Sequence, residues 1–305
     1  MIVVGVDENG LGPRLGPLVS TAVAISVQSY DPARLRARAR RVGIDDSKQT
    51  AGFGKMASAE SIALALVAEL TGSSPRDADA LLAAVALDGA LALRAPCPPG
   101  TSAQCWSSPL ALPAFGGDVD EGKRALARLA RAGVRVRRAR SAIACASVVN
   151  DWLSRDRTKL DLDLEQFERL LVDARSALDE DMTAYCGMVG GIRRYGARFA
   201  HLDSARVAVL AEEKARAAYR VLDFGEIAFE VGADARHFPV ALASMLGKYV
   251  RELAMERMHL FYGTHDEALP RASGYHDPVT ARFVTATGAL RLRLGIVDHC
   301  FERRG

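Results

Sequence analysis

Two adjacent acids, Asp7 and Glu8, follow the apolar run Ile2 to Val6, and a glycine-rich turn (Gly10, Gly12, Pro13, Gly16, Pro17) comes directly after them. A strand that ends in Asp-Glu fixes two oxygen donors in one place, which suits a hard divalent cation such as Mg²⁺. Glycines in the turn let backbone approach a ligand with no Cβ in the way. Acids at a strand end are commonly just solvated, so the pair gains meaning from what accompanies it. Ser244, Lys248 and Glu252 recur at i, i+4 and i+8, one polar stripe on a helix otherwise rich in Leu, Val, Ala and Met. The stripe either faces a site or faces solvent, with a Lys248–Glu252 pair worth about 0.3–0.5 kcal/mol.

The elements that must position these groups are legible as periodicities. Strands are expected at Ile2 to Val6, Leu18 to Ile25, Val134 to Ala144, Thr183 to Val189 and Glu226 to Val231. Helices are expected from about Asp31 to Arg41, Lys55 to Glu69, Leu164 to Leu178 and Val240 to Met258. A further helix is expected to open on Ser74 and Pro75, with Asp77 in its first turn, and to continue through Ala92. Asp277-Pro278 opens the last substantial one. Ala205 to Ala218 also reads as helical. The stretch Pro96 to Asp118 has turn chemistry and no periodicity, as expected of a loop insertion. Interleaved strands and helices predict an α/β protein with a mixed sheet.

With 305 residues, 49% hydrophobic and 25% charged, the chain can build a large core. No apolar run approaches the roughly 20 residues of a membrane span, and no secretory signal is visible at the N-terminus. Five cysteines lack Cys-x-x-Cys spacing, so neither a disulfide framework nor a zinc site is expected, and a reducing cytoplasm fits. The formal charge of +3 does not mark a dedicated nucleic-acid binder. Arginine clusters at 34–41, 135–140 and 193–194 are solvated faces or phosphate contacts; charge alone does not decide. The six histidines show no metal-ligand spacing, and His237 is the one nearest in sequence to the polar stripe.

The string Asp7-Glu8-Asn9-Gly10-Leu11-Gly12-Pro13, followed by Gly16-Pro17, resembles the opening motif of type 2 ribonuclease H (ribonuclease HII), which reads Asp-Glu-Ala-Gly-Arg-Gly-Pro and then Gly-Pro. Ile44-Asp45-Asp46-Ser47-Lys48 resembles that family's Asp-Asp-Ser-Lys segment. Gly232 to Glu252 resembles its late block, where a Gly-Asp-Ala turn leads into an Ala-Ser-x-x-x-Lys-x-x-Arg-Asp helix, and Gly274-Tyr275 falls where the family has Gly-Tyr. The resemblance implies a ribonuclease-H-like mixed sheet flanked by helices over residues 1–260, with the loop insertion at 96–118. A helical C-terminal segment, 261–305, would pack on it and help grip substrate.

By the same resemblance the chain is a divalent-metal-dependent endonuclease cutting the RNA strand of RNA–DNA hybrids, with Mg²⁺ or Mn²⁺ held by Asp7, Glu8 and Glu252. The family's four acids are the Asp-Glu pair, an Asp on a later strand and an Asp on the late helix; here Glu252 replaces the last. The third has no counterpart, because Tyr185-Cys186-Gly187-Met188-Val189 carries no carboxylate. Asp203, Glu212 and above all Glu213 are the available substitutes. Gly10, Leu11 and Gly12 would read a ribose 2′-hydroxyl, although Leu11 replaces the family's arginine and Arg14 is the nearest stand-in. Ser47 and Lys48 are a phosphate-contact turn or a capped loop; Lys248 and Tyr275 complete the expected substrate contacts, Tyr275 by stacking unless it is a core residue. The expected partner is a hybrid or a duplex with an embedded ribonucleotide, and the expected state is a cytoplasmic monomer. Two other readings stay open: a catalytically degenerate nucleic-acid binder of the same fold, and a related nuclease with a different substrate such as a DNA junction.

Overall fold

The computed structural model describes residues 1–44, 55–99, 103–203 and 206–304. Strands β1 (Ile2–Asn9), β2 (Leu18–Ser26), β3 (Arg135–Ala144), β4 (Met182–Gly187), β5 (Val207–Glu212), β6 (Arg216–Val221) and β7 (Gly225–Glu230) form one sheet in the order β3-β2-β1-β4-β7-β6-β5. β1 runs parallel to β4 and β4 to β7, while the other neighbours are antiparallel. A central strand covered on both faces must be apolar throughout, and the first five residues of β1 are all buried.

The helices are α1 (Pro32–Arg41), α2 (Ala57–Thr71), α3 (Ala78–Val85), α4 (Val119–Arg131), α5 (Ala146–Leu153), α6 (Lys159–Leu178), α7 (Ala233–Arg236) and α8 (Phe238–Gly263). Three short ones close the chain: α9 (Pro278–Ala286), α10 (Gly288–Arg293) and α11 (Asp298–Phe301). On one face of the sheet Leu242, Leu246 and Leu253 of α8 share a core with Val3, Val19 and Val23. On the other, Phe167, Leu170 and Leu171 of α6 pack with Val4, Val6 and Ala184. Each such side chain contributes about 1.5–3 kcal/mol by leaving water. The start of α8 lies close on β1, because a Cβ at Gly5 would fall 2.1 Å from the backbone of Pro239 and Val240. α6 is fixed at its start by a capping box between Thr158 and Asp161.

Two expected helices differ. The one expected from Ser74 to Ala92 is the shorter α3, capped by Asp77, whose carboxylate accepts from the Ala80 N–H at 2.8 Å. It ends because Ala86 pairs with Ser141 of β3 and Leu87 donates to the Ser141 carbonyl. Of the helix expected from Ala205 to Ala218, Val207–Glu212 and the residues from Arg216 onward are strand instead: β5 and β6 pair across a turn at Glu213. Its Ala, Glu, Lys and Arg content favours helix, but pairing with β7 buries Ala217, Ala218, Tyr219 and Val221, and that burial overrides propensity.

The last part of the expected loop insertion, residues 114–117, is tied down from within. The fully buried carboxylate of Glu60 accepts from the backbone N–H groups of Ala114 (2.6 Å), Phe115 (2.8 Å) and Gly117 (2.8 Å), and from the Tyr249 hydroxyl (2.9 Å). One side chain on α2 thereby joins the loop to α8. Among the described residues no helix is long and apolar enough to cross a membrane.

Candidate metal centre at the end of β1

Successive residues of a strand point to opposite faces, so Asp7 and Glu8 leave β1 in opposite directions at the edge where the sheet opens. Asp7 faces α8 and accepts a hydrogen bond from the Ser244 side chain. Asn9, on the same face, donates to the Ser244 carbonyl at 3.2 Å. Glu8 stands opposite Ser20 of β2 and so faces α6. There the Ser20 hydroxyl lies 2.9 Å from Asp163 Oδ1 and 2.7 Å from Gln166 Oε1, with all three residues buried.

The electrostatics group four acids. Burial pushes the Asp7 carboxyl up to about 8, against the Ser244 hydrogen bond, and the neighbouring charges of Glu8 and Asp234 push the same way. Burial likewise raises Glu8, opposed by the Leu11 N–H and by the Arg303 guanidinium. Asp163 is raised well above the usual carboxylate range by burial, then by Glu8, and also by Asp7. Asp234 sits on α7, directly after β7. Like charges crowded in a poorly solvated place disfavour ionisation, and a divalent cation relieves that directly. Among the described residues, however, no three acidic, histidine or cysteine side chains are drawn into a ready ligand set.

Glu252 does not join this group. It lies eight residues beyond Ser244 on α8, about 12 Å along the axis at 1.5 Å per residue. Its carboxylate accepts from Arg251 at 2.6 Å, and the cations acting on it are Arg251 and Lys248. Burial raises its pKa despite them. Glu212 and Glu213 are also remote: β5 is the far edge of the sheet, four strands from β1, roughly 19 Å at 4.8 Å per strand. Glu212 accepts from the Tyr219 hydroxyl there, and Glu213 is exposed. Asp203 lies in the connection that leads to β5.

The strand position without an acid lies where the resemblance puts it. Cys186 pairs with Val6, so Gly187 falls beside Asp7, and a Cβ there would be 2.6 Å from Asp7 Oδ1. The glycine turn is held from behind by two arginines. Gly10 has φ +94°, and a Cβ on it would meet the Pro17 carbonyl at 2.7 Å and the Arg251 side chain at 3.1 Å. Arg251 also donates to the Ser273 carbonyl at 3.0 Å and lies 5.1 Å from the Tyr275 ring centre, with that ring 49% exposed. Arg303, from the chain's end, donates to the carbonyls of Gly10 and Pro13. Burial and the nearby Arg251 lower its pKa to about 10. Leu11 packs beside Leu18, Val149 and Leu162, and its N–H donates to Glu8 at 3.3 Å. Gly12 is open on its Cβ side. Lys248 is half-buried, next to Glu252 in charge, and Arg14 pairs with Glu302 at 2.6 Å. Ser47 and Lys48 lie outside the described residues.

Sequence reasoning passed over Asp163, Asp234 and Arg303. Asp234 was within reach, since Gly232-Ala233-Asp234 is the segment that resembles the Gly-Asp-Ala turn. Asp163 had only the signal of an acid between Leu162 and Leu164 on an apolar helix face, and Arg303 had none.

No protein-family model matches the chain, and no curated protein matches it. Solved structures do. The RNase HII of Archaeoglobus fulgidus, solved as a PCNA:RNase HII complex, aligns over 100% of this chain and 95% of its own, at 17% identity and a TM-score of 0.54. The ribonuclease H2 of Pyrococcus horikoshii OT3 aligns over 99% of this chain and 92% of its own, at 16% identity and a TM-score of 0.50. At such identities the likeness is one of fold, and the chain has the ribonuclease-H-like α/β fold, with a mixed sheet and a helical C-terminal segment.

Proposed function

We propose that this chain is a divalent-metal-dependent endonuclease that hydrolyses the RNA strand of RNA–DNA hybrids, with Asp7, Glu8 and Asp234 holding Mg²⁺ or Mn²⁺. One observation carries the reading: β1 ends in two adjacent carboxylates, Asp7 and Glu8, with the buried Asp163 set behind Glu8 at Ser20. Burial above all raises Asp7, and the charges of Glu8 and Asp234 add to it, a crowding that a cation relieves. The donors are all carboxylate oxygens, the set that hard divalent cations prefer. A bound cation supplies Lewis acidity and a water nucleophile at neutral pH. Ser244 orients Asp7, and the Leu11 N–H orients Glu8. Arg303 and Arg251 hold the Gly10–Gly12 turn, whose backbone faces the substrate's ribose. Tyr275 offers an exposed ring for stacking on a sugar or base. Glu252 serves as the partner that fixes Arg251, and Lys248 as a phosphate contact on the same stripe.

A second reading, a binder that keeps the fold without hydrolysis, is favoured by the bare Gly187 and by the absence of a ready ligand set among the described residues. Purified protein with Mn²⁺ is incubated with a labelled RNA–DNA hybrid, a duplex with one embedded ribonucleotide, and a DNA junction. The proposal expects cleavage of the hybrid's RNA strand that Asp7→Asn abolishes. Binding to the hybrid without cleavage supports the second reading, and cleavage of the junction alone moves the substrate assignment to DNA.

A further inference from the structure

We propose that Asp163, on α6, supplies a further carboxylate to the metal centre, entering beside Glu8 from the face of the sheet opposite α8. The inference rests on the metal-dependent reading above. β4 brings Gly187 against Asp7 but offers no oxygen there. On the other face, α6 places Asp163 behind Glu8, at Ser20, the residue directly opposite Glu8 on β2.

Asp163 is 0% exposed, and its Oδ2 has no hydrogen-bond partner among the described residues. A buried carboxylate without a compensating group is costly. The described ion pairs give it no cation, and the charges that bear on it are Glu8 and Asp7. Two other buried acids, Glu60 and Glu168, are treated differently, while Glu165 of α6, like Asp163, has an unpartnered buried oxygen but has His201 3.6 Å from its other one. Glu60 has three N–H donors and a hydroxyl, and Glu168 accepts from the N–H groups of Ala200, His201 and Leu202. Asp163, unlike Glu60 and Glu168, keeps one oxygen empty, and it does so beside the acidic end of β1. A cation shared with Glu8 gives that oxygen a partner and neutralises the acids around it. The rival explanation is a proton shared within the Ser20–Asp163–Gln166 cluster, with no part in metal binding.

Mn²⁺ affinity of the full chain, measured by calorimetry or by the spin-resonance signal of free Mn²⁺ without nucleic acid, separates the two. Asp163→Asn keeps the shape and the Ser20 hydrogen bond but removes the ligating charge, and should weaken Mn²⁺ at least about tenfold. Wild-type affinity in Asp163→Asn, with affinity lost in Asp7→Asn, overturns this inference and leaves the metal reading standing. If Asp7→Asn also binds Mn²⁺ as wild type does, the metal reading itself fails. Should Asp163→Asn not fold, Asp163→Glu carries the test: a several-fold change in affinity supports ligation, and none refutes it.

Discussion

Asp7→Asn should make the metal-free protein more stable at high pH while removing its response to metal. In the fold Asp7 titrates at about 8, against 3.8 for the unperturbed group. Between those values the folded state keeps a proton that the unfolded chain has released. The stability this contributes is whole below about pH 4, falls as pH rises, and is gone above about pH 8. A difference of about 4 in pKa corresponds to at most on the order of 5 kcal/mol. A side chain partly open to water realises only part of that. About 2 kcal/mol is a reasonable share, and it moves Tm by about 3 °C in a chain of 305 residues. Asparagine fits the same space and carries no charge at any of these pH values. Melting curves in EDTA from pH 5 to 9 should therefore show wild type losing ground to Asp7→Asn as pH rises, with the gap levelling off above pH 8. Adding Mn²⁺ at pH 8 should raise wild-type Tm by mass action and leave Asp7→Asn nearly unmoved. Parallel pH curves, or an equal Mn²⁺ shift in both proteins, would refute the reasoning.

Other perturbations test the supports of the site. Glu60→Ala strands three backbone N–H groups and a tyrosine hydroxyl; a loss of about 3 kcal/mol or more in urea unfolding is expected, and a loss under 1 kcal/mol would show that the loop does not depend on it. Arg303→Met keeps an apolar stem but frees the Gly10 and Pro13 carbonyls and removes a cation beside Glu8. Weaker hybrid binding should accompany a lowered Tm, and unchanged binding would remove the tail from the account. Tyr275→Ala should weaken hybrid binding by about 1–3 kcal/mol in a fluorescence titration without lowering Tm, because the ring is half exposed. Burial raises the Cys145 thiol to about 11 and holds Cys105 well above the usual thiol range. Native thiol titration at pH 8 should leave both unreacted until denaturant is added.

The sheet and its flanking helices were legible because their periodicities agree with the burial they achieve. β1, β2 and β3 fall where their apolar and alternating patterns put them, and α6 ends at Leu178 as expected but begins five residues earlier, at Lys159 behind the Thr158 cap. β5 and β6 were not legible, since Val207 to Val221 is built of good helix formers and becomes strand only through pairing with β7. Half of the proposed site was legible. Asp7 and Glu8 are local in sequence, and a strand end is a local feature. Their companions are set by tertiary packing: Asp163 by the seat of α6 on β2, Asp234 by the turn after β7. For Glu252 a polar stripe on a helix fits an ion pair as well as a site, and here Arg251 holds its carboxylate. The cysteines show the same limit. Cys97, Cys105, Cys145 and Cys300 look scattered in sequence, yet all four line one small cavity beside Trp106 and Ile296.

The most direct test of the metal centre is the anomalous difference map of a crystal of this protein soaked in Mn²⁺. The account predicts a peak within about 2.5 Å of carboxylate oxygens from both Asp7 and Glu8. A saturated crystal with no peak there, or with Mn²⁺ held only by residues away from the end of β1, would contradict it.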